Sequence, residues 1–171
     1  MKTLALLKDT SYPFSYIDHN RIAARAIILN EKNQIYLIKV DRDDLFGKLT
    51  HLETPGGGVN ENEDIKLALK REIEEECGMI IDIIDELGII EDDYNIIHRH
   101  NISCYYLCRE VGRCDSHLED YEKELFKSMD YYDIDEVLRI TDNPIEDLTK
   151  ILYRRERIIY ELVKGIVERW I

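Results

Sequence analysis

A chain of 171 residues with 44% hydrophobic composition is long enough to bury one globular core and too short for two independent ones. Its formal net charge of -13 at pH 7 would repel a phosphate backbone or an anionic lipid surface, which excludes non-specific binding to nucleic acid or membrane. Small anionic substrates are not excluded, because a divalent cation held by carboxylates inverts the local field.

The first residues hold only a short apolar patch, Leu4 to Leu7, and do not read as a secretory leader. No stretch approaches the roughly 18 apolar residues needed to span a bilayer. Cys77, Cys104, Cys108 and Cys114 make no dense disulfide framework. The expected compartment is reducing and cytoplasmic.

Residues 21–30 alternate into the run Ala26-Ile27-Ile28-Leu29, and 34–40 form a second strand after the turn residues Asn30-Glu31-Lys32-Asn33. The two are expected to pair as a hairpin. A charged loop over 41–48 leads to a short strand over 49–53. Pro55-Gly56-Gly57-Gly58 interrupts regular structure, and a helix is expected over 63–76, with Gly78 in the C-terminal cap.

Two longer strands follow, over 80–90 and 96–109, turning at Asp92-Asp93-Tyr94-Asn95. After the polar stretch 112–123 comes a last strand over 127–132. Asp133 with Glu136 resembles a capping box opening a short helix to Ile140. Asn143-Pro144 then starts a helix over 144–170, with Pro144 at its first position. Ile145, Leu148, Leu152, Ile159, Leu162, Ile166 and Trp170 recur at helical spacing, so one side of it packs on the domain. The chain shows no repeat, linker or low-complexity segment, and reads as one α/β domain over residues 1–171 with a central mixed sheet.

The chemistry lies in Pro55-Gly56-Gly57-Gly58-Val59-Asn60-Glu61-Asn62-Glu63 and its continuation Arg71-Glu72-Ile73-Glu74-Glu75-Glu76-Cys77-Gly78-Met79. Residues three and four apart share a helix face, so Glu72, Glu75 and Glu76 converge. At about 100° per residue the same face holds Ile65, Ala68 and, at its margin, Leu69, whereas Lys70, Glu74 and Leu67 lie opposite. A run of glutamates is ordinarily a solvated face. Here the three carboxylates point along the side that the apolar residues bury, where repulsion and desolvation raise their pKa values. Mg²⁺ or Mn²⁺ is the natural compensation. Arg71, four residues before Glu75, can hold one carboxylate in place, and the glycines suit close approach of backbone to a pyrophosphate.

The segment resembles the box of the Nudix hydrolase family (MutT-like), Gly-x5-Glu-x7-Arg-Glu-U-x-Glu-Glu-x-Gly-U, where U is a bulky aliphatic residue. Gly57, Glu63, Arg71, Glu72, Ile73, Glu75, Glu76, Gly78 and Met79 fill every defined position over residues 57–79. Many relatives carry glutamate where Asn60 stands, outside the formal motif, and the expected effect is on fine metal geometry. The resemblance implies an α/β/α sandwich and hydrolysis of a nucleoside diphosphate linked to another moiety, by attack of water on phosphorus. It also implies Mg²⁺ or Mn²⁺ held by Glu72, Glu75, Glu76 and the backbone of Gly57, with Arg71 as an orienting partner and Gly56, Gly57 and Gly58 against the pyrophosphate. The family's general base is often a carboxylate in a distal loop. Glu122, then Glu119, are the candidates here, and a merely solvated acidic loop is the alternative.

Arg25, between Ala24 and Ala26, can reach substrate phosphates, or equally partner an acidic side chain. Tyr94 and Tyr36 are candidates for stacking on a nucleobase. His98, His100, Cys104 and Cys108 would share one strand face, yet one strand cannot wrap a tetrahedron, and zinc is set aside. Arg154, Arg155 and Arg157 are expected in surface salt bridges on the last helix.

The rival class is a Nudix-fold module that binds a nucleotide without turnover. Such modules often lose a box carboxylate, and all are present here. The expected partner is a small nucleotide, with no nucleic acid and no membrane, and a homodimer is compatible with this reading. Neither the proline associated with ADP-ribose, at whose position Tyr94 stands, nor the coenzyme A signature is found. A nucleotide sugar, a nucleoside triphosphate or a dinucleotide stay open.

Overall fold

The computed structural model of the chain describes residues 1–144 and 146–170. Seven strands, β1 (Thr3–Leu7), β2 (His19–Leu29), β3 (Ile35–Asp44), β4 (Gly47–Glu53), β5 (Met79–Tyr94), β6 (Arg99–Arg113) and β7 (Phe126–Tyr132), form one mixed sheet. Its path runs β1-β5-β6-β2-β3-β4, with β7 also on β3. The helices are α1 (Ile65–Cys77), α2 (Asp120–Leu125), α3 (Ile134–Thr141) and α4 (Asp147–Val167).

β2 carries Ala24, Ala26 and Ile28 on one face and Ile27 and Leu29 on the other, all buried. A strand buried on both sides is what parallel pairing in a covered sheet requires, and β2 runs parallel to β6 from His19–Arg99 to Leu29–Arg109. The even face packs on α1 through Leu69, Ile73 and Cys77. The odd face packs on α3 and α4 through Val137, Ile159, Tyr160 and Val163. The result is the expected α/β/α sandwich.

The expected hairpin of β2 and β3 pairs only at Leu29–Ile35. Beyond that point Pro55–Val59 takes over the edge of β2: Ala24 N–H donates to the Gly57 carbonyl (3.0 Å), Ala26 N–H to Pro55 (3.0 Å) and Val59 N–H to Ile22 (3.0 Å). The small side chains of Ala24 and Ala26 admit this backbone. Gly56, at φ 121°, has no alternative residue, because a Cβ there would collide with the Ala24 carbonyl.

Other boundaries move for local reasons. The charged stretch 41–48 is the β3–β4 hairpin, paired from Asp44–Gly47 onward. β5 continues through Asp92, Asp93 and Tyr94, and the turn falls at Asn95–Ile97, with His98 left-handed at φ 53°. His98 therefore leaves the strand face it was expected to share with His100, Cys104 and Cys108. Of these, His100 is bound to Asp93 (2.7 Å) and Glu91 (3.0 Å), and both cysteines are core residues, with burial pushing the Cys108 thiol up to about 12. Asp133 caps α3 through Asp135 N–H (3.0 Å).

The last helix begins at Asp147, not at Pro144. The Thr149 hydroxyl accepts from Glu146 N–H (3.0 Å), which fixes Glu146 as the cap and leaves Pro144 upstream. Ile145 lies outside the described residues. Trp170 is half exposed beyond the helix end. No helix among the described residues is long and apolar enough to cross a membrane.

Arg155 is not the surface cation expected. It is buried, with Nη2 on Glu156 (2.9 Å) and Nη1 on Asp92 (3.4 Å), while Glu156 also accepts from Tyr105 (2.8 Å) and from Thr54. Arg157 does make surface pairs, with Asp142 and Glu161, and Arg154 donates to the Lys8 carbonyl. The buried cluster ties α4 to β5, β6 and the residue before Pro55. Arg155→Met strands two buried carboxylates and is expected to lower unfolding free energy by about 3–5 kcal/mol, read from urea midpoints.

Candidate active site

A cavity of about 470 Å³ lies where β2 and β3 part, bounded by the glycine segment and by residues of α1, α2, β6 and α4. α1 is started by Asp64, whose carboxylate accepts from Lys66 N–H (2.9 Å) and Leu67 N–H (3.1 Å). Gly78 closes it in the left-handed conformation at φ 61°. Ala68, Leu69, Ile73, Glu76 and Cys77 are its buried residues. At about 100° per residue this buried arc runs from Ala68 to Cys77, so Glu76 and Glu72 both lie within it and Ala68 marks its edge. Glu75 falls on the far side of Glu72.

The three box glutamates accordingly part company. Glu72 and Glu76 line the cavity. Glu75 is half exposed, takes Arg71 Nη1 on its Oε2 (3.0 Å) and is not among the lining residues. Glu74 is exposed on the opposite face, as expected.

Glu76 is 8% exposed and accepts from Gly56 N–H (3.0 Å). Burial, with Glu72 and Glu122 nearby, pushes its pKa up to about 8. Burial likewise raises Glu72, against the pull of Arg71. A Cβ on Gly57 would collide with the Glu72 carboxylate, so glycine is what lets that carboxylate lie on the loop. The Gly57 carbonyl accepts from Ala24 N–H, and Gly58 lies beside Arg21.

Arg71 is the orienting residue of the set. Its guanidinium donates to Glu63 (2.9 and 3.0 Å), Glu72 (2.8 Å), Glu75 (3.0 Å) and the Gly58 carbonyl (3.2 Å). It thereby pins the glycine segment to the helix. Asn60 is exposed, and its N–H donates to Glu63 (2.9 Å).

The polar stretch 119–122 is not an open loop. It starts α2, and Glu122, 8% exposed, lines the cavity together with Tyr121. Its carboxylate accepts from Glu119 N–H (2.8 Å) and Tyr121 hydroxyl (3.1 Å). Glu119 does not line the cavity.

Arg25 lines the cavity with Nη1 on the carbonyls of Thr54 (2.8 Å) and Gly56 (3.0 Å), and its buried Nε has no partner. Tyr94 lines the cavity edge-on to Phe46 (6.0 Å between ring centres), whereas Tyr36 is a core residue against Tyr131.

Arg42, Arg99 and Glu53 also line the cavity without a sequence signal that marks them, and so does Arg155, expected on the surface. Arg21 lines it too and could have been found, since it stands four residues before Arg25 on one strand and shares its face. Burial alone would raise Glu53, but His51 (2.6 Å) and Arg42 (3.2 Å) hold its carboxyl well below the usual range.

Among the described residues, no three histidine, cysteine, aspartate or glutamate side chains stand close enough together to hold a metal ion. The donor set still fits one by its chemistry. Glu72, Glu76 and Glu122 are three carboxyl groups facing one cavity, hard oxygen donors of the type a dication takes, and a bound dication would offset the burial that raises Glu72 and Glu76.

A sequence profile described as the NUDIX domain matches residues 19–150, which includes every strand from β2 to β7 and both cavity-lining helices of the box side. The chain belongs to the Nudix family. Nudix hydrolase 7 of Arabidopsis thaliana is 29% identical over 87 residues, which is 51% of this chain and 30% of that protein. The chain thus spans under a third of that curated relative. The solved structure of the MutT protein from Methanosarcina mazei Go1 superposes with a TM-score of 0.65 at 20% identity, covering 88% of this chain and 97% of that one. That of the MutT NUDIX hydrolase from Burkholderia pseudomallei gives 0.55 at 24% identity, over 68% and 84%. At these identities the two structures speak for the Nudix fold of the chain.

Proposed function

We propose that this Nudix protein is a divalent-metal-dependent pyrophosphohydrolase acting on a nucleoside diphosphate linked to another moiety. One observation carries the reading: a single cavity sets Glu72, Glu76 and Glu122 against a row of arginines. That division suits a diphosphate whose charge is shared between Arg25, beside the glycine segment, and a cation.

Glu72 and Glu76 would hold the ion. When bound, a divalent cation would supply positive charge against the diphosphate and would lower the pKa of a bound water. Glu122 is the base that takes the proton of the attacking water, held in position by Glu119 N–H and Tyr121. Water adds to phosphorus, the phosphoanhydride P–O bond breaks, and two phosphorylated products leave. Arg25 fixes the Gly56 carbonyl and places its guanidinium charge on the cavity wall beside the phosphates. Arg71 orients Glu72, and Glu75 serves through its bond to Arg71.

The test is a phosphate-release screen over a nucleoside-diphosphate panel with Mg²⁺ and with Mn²⁺. Hydrolysis of any accepted substrate should vanish in excess chelator and return with either ion. Turnover undiminished by chelator contradicts the proposal, and binding of a nucleotide with no turnover under any metal points to the non-catalytic module.

A further inference from the structure

Five arginines line the cavity, in a chain whose net charge is -13. Three are occupied. Arg42 pairs with Glu53 (3.2 Å) and Asp44 (3.5 Å), Arg155 with Glu156 and Asp92, and Arg25 donates to two backbone carbonyls. Arg21 and Arg99 form no ion pair among the described residues. Arg99 lies over the Tyr94 ring (5.6 Å to its centre), and its buried Nε has no hydrogen-bond partner. Arg21 is half-buried, and burial with Arg25, Arg99 and Arg155 close by depresses it to about 10. Cations held together in partial burial with no carboxylate in salt-bridge contact are costly to keep, even with Glu72 in reach of Arg21 and Asp92 in reach of Arg99. A bound anion removes that cost.

Their placement sets them beside the glutamates, further along the glycine segment. In the parallel β2–β6 pair Arg21 lies beside Asn101, and Arg99 two residues back beside His19. The two Cα positions are therefore about 8 Å apart on one face, close enough for both forks to meet one phosphate. Glu76 holds Gly56, Glu72 lies on Gly57, and Arg21 stands at Gly58. The arginine pair thus continues the glycine segment past the carboxylates.

We infer that Arg21 and Arg99 form a second anion subsite, and that the moiety linked to the nucleoside diphosphate carries a phosphate charge of its own. The inference rests on the proposed hydrolase reading for its account of the carboxylate side. The phosphate can be the end of a longer polyphosphate chain or a phosphate ester on the linked group.

The test compares wild type, Arg21→Gln, Arg99→Gln, the double variant and, as a surface control, Arg157→Gln. Substrates share one nucleoside and differ in the linked group: a neutral hexose, the same hexose bearing a phosphate ester, and a single terminal phosphate. Wild type should favour one or both phosphate-bearing substrates by about tenfold or more in kcat/KM, and the double variant should bring that ratio near one. Which of the two is favoured tells the sources apart. A wild-type preference for the neutral hexose, or an anion preference that survives in the double variant, overturns the inference.

Inorganic phosphate in chelator supplies a second reading, independent of turnover. It should raise the melting temperature of wild type and Arg157→Gln, and not of the double variant. If no substrate is hydrolysed, the proposed reaction fails, and the phosphate measurement alone decides the subsite: an equal rise in the double variant overturns it. Should the double variant not fold, each single variant carries the comparison.

Discussion

Glu76→Gln is expected to lower turnover by at least about 10²-fold while making the metal-free protein more stable. The loss follows from removing a charge that, in the proposed reaction, helps to hold a cation. The gain follows from the cost of that same charge in the folded state. Burial, with Glu72 and Glu122 nearby, carries the Glu76 carboxyl to about 8, against an ordinary value of 4.5. Below the lower value both folded and unfolded chains hold the proton, and the group has no effect. Between the two values the unfolded chain releases the proton and the folded chain retains it, so stability falls as pH rises. Above the upper value the penalty is complete. Glutamine does not titrate and can still accept the Gly56 N–H. Melting curves in chelator should therefore show the advantage of the variant widening up to about pH 8 and then levelling. A variant uniformly less stable than wild type across that window contradicts the burial argument.

The second large effect is at Glu122. Glu122→Gln should reduce kcat by about 10² to 10⁴ with little change in KM, since the role proposed for the side chain is to take a proton and not to bind the nucleotide. The glutamine carbonyl can accept the Glu119 N–H that the carboxylate Oε2 accepts, and its NH2 can donate to the Tyr121 hydroxyl oxygen, so the start of α2 persists. Glu119→Gln keeps the backbone N–H that positions Glu122 and should stay near the wild-type rate. If the two variants are equally active, the proton goes elsewhere, to Glu53 or to α1 itself.

The fold was legible where side-chain period is simple. α1 could be bounded from Gly78 and the apolar positions Ala68, Leu69 and Ile73, because a helix buries what repeats at its own period. The strand pair β5–β6 was readable in kind and misplaced at its turn. Asp92, Asp93 and Tyr94 look like turn residues in sequence, yet their partners come from far along the chain, Arg155 for Asp92 and Lys8 with His100 for Asp93. The β2–β3 hairpin was overcalled for a similar reason: local pattern shows two adjacent strands, and only the tertiary structure shows Pro55–Val59 entering between them.

The same division runs through the candidate site. The box placed Glu72 and Glu76, but a face drawn symmetrically about Glu72 put Glu75 with them. The buried arc is shifted towards Leu69 and Ile73, and Glu75 lies outside it. Glu122 was a choice among four polar residues, and it lines the cavity because α2 turns it inward while Glu119 ends the preceding segment. Arg99 and Arg155 could not be found from spacing, since each reaches the cavity from a different element.

The most direct measurement is the rise in melting temperature caused by Mg²⁺ in wild type, Glu74→Gln and Glu76→Gln. A cation that binds only the native state stabilises it by RT ln(1 + c/Kd), where c is the free cation concentration. Glu74 is exposed on the outer face of α1 and Glu76 is buried against Gly56. The rise should match wild type in Glu74→Gln and be largely lost in Glu76→Gln, with kcat/KM following the same division. Equal rises in the two variants would contradict the claim that the inner face of α1 holds the metal and the chemistry.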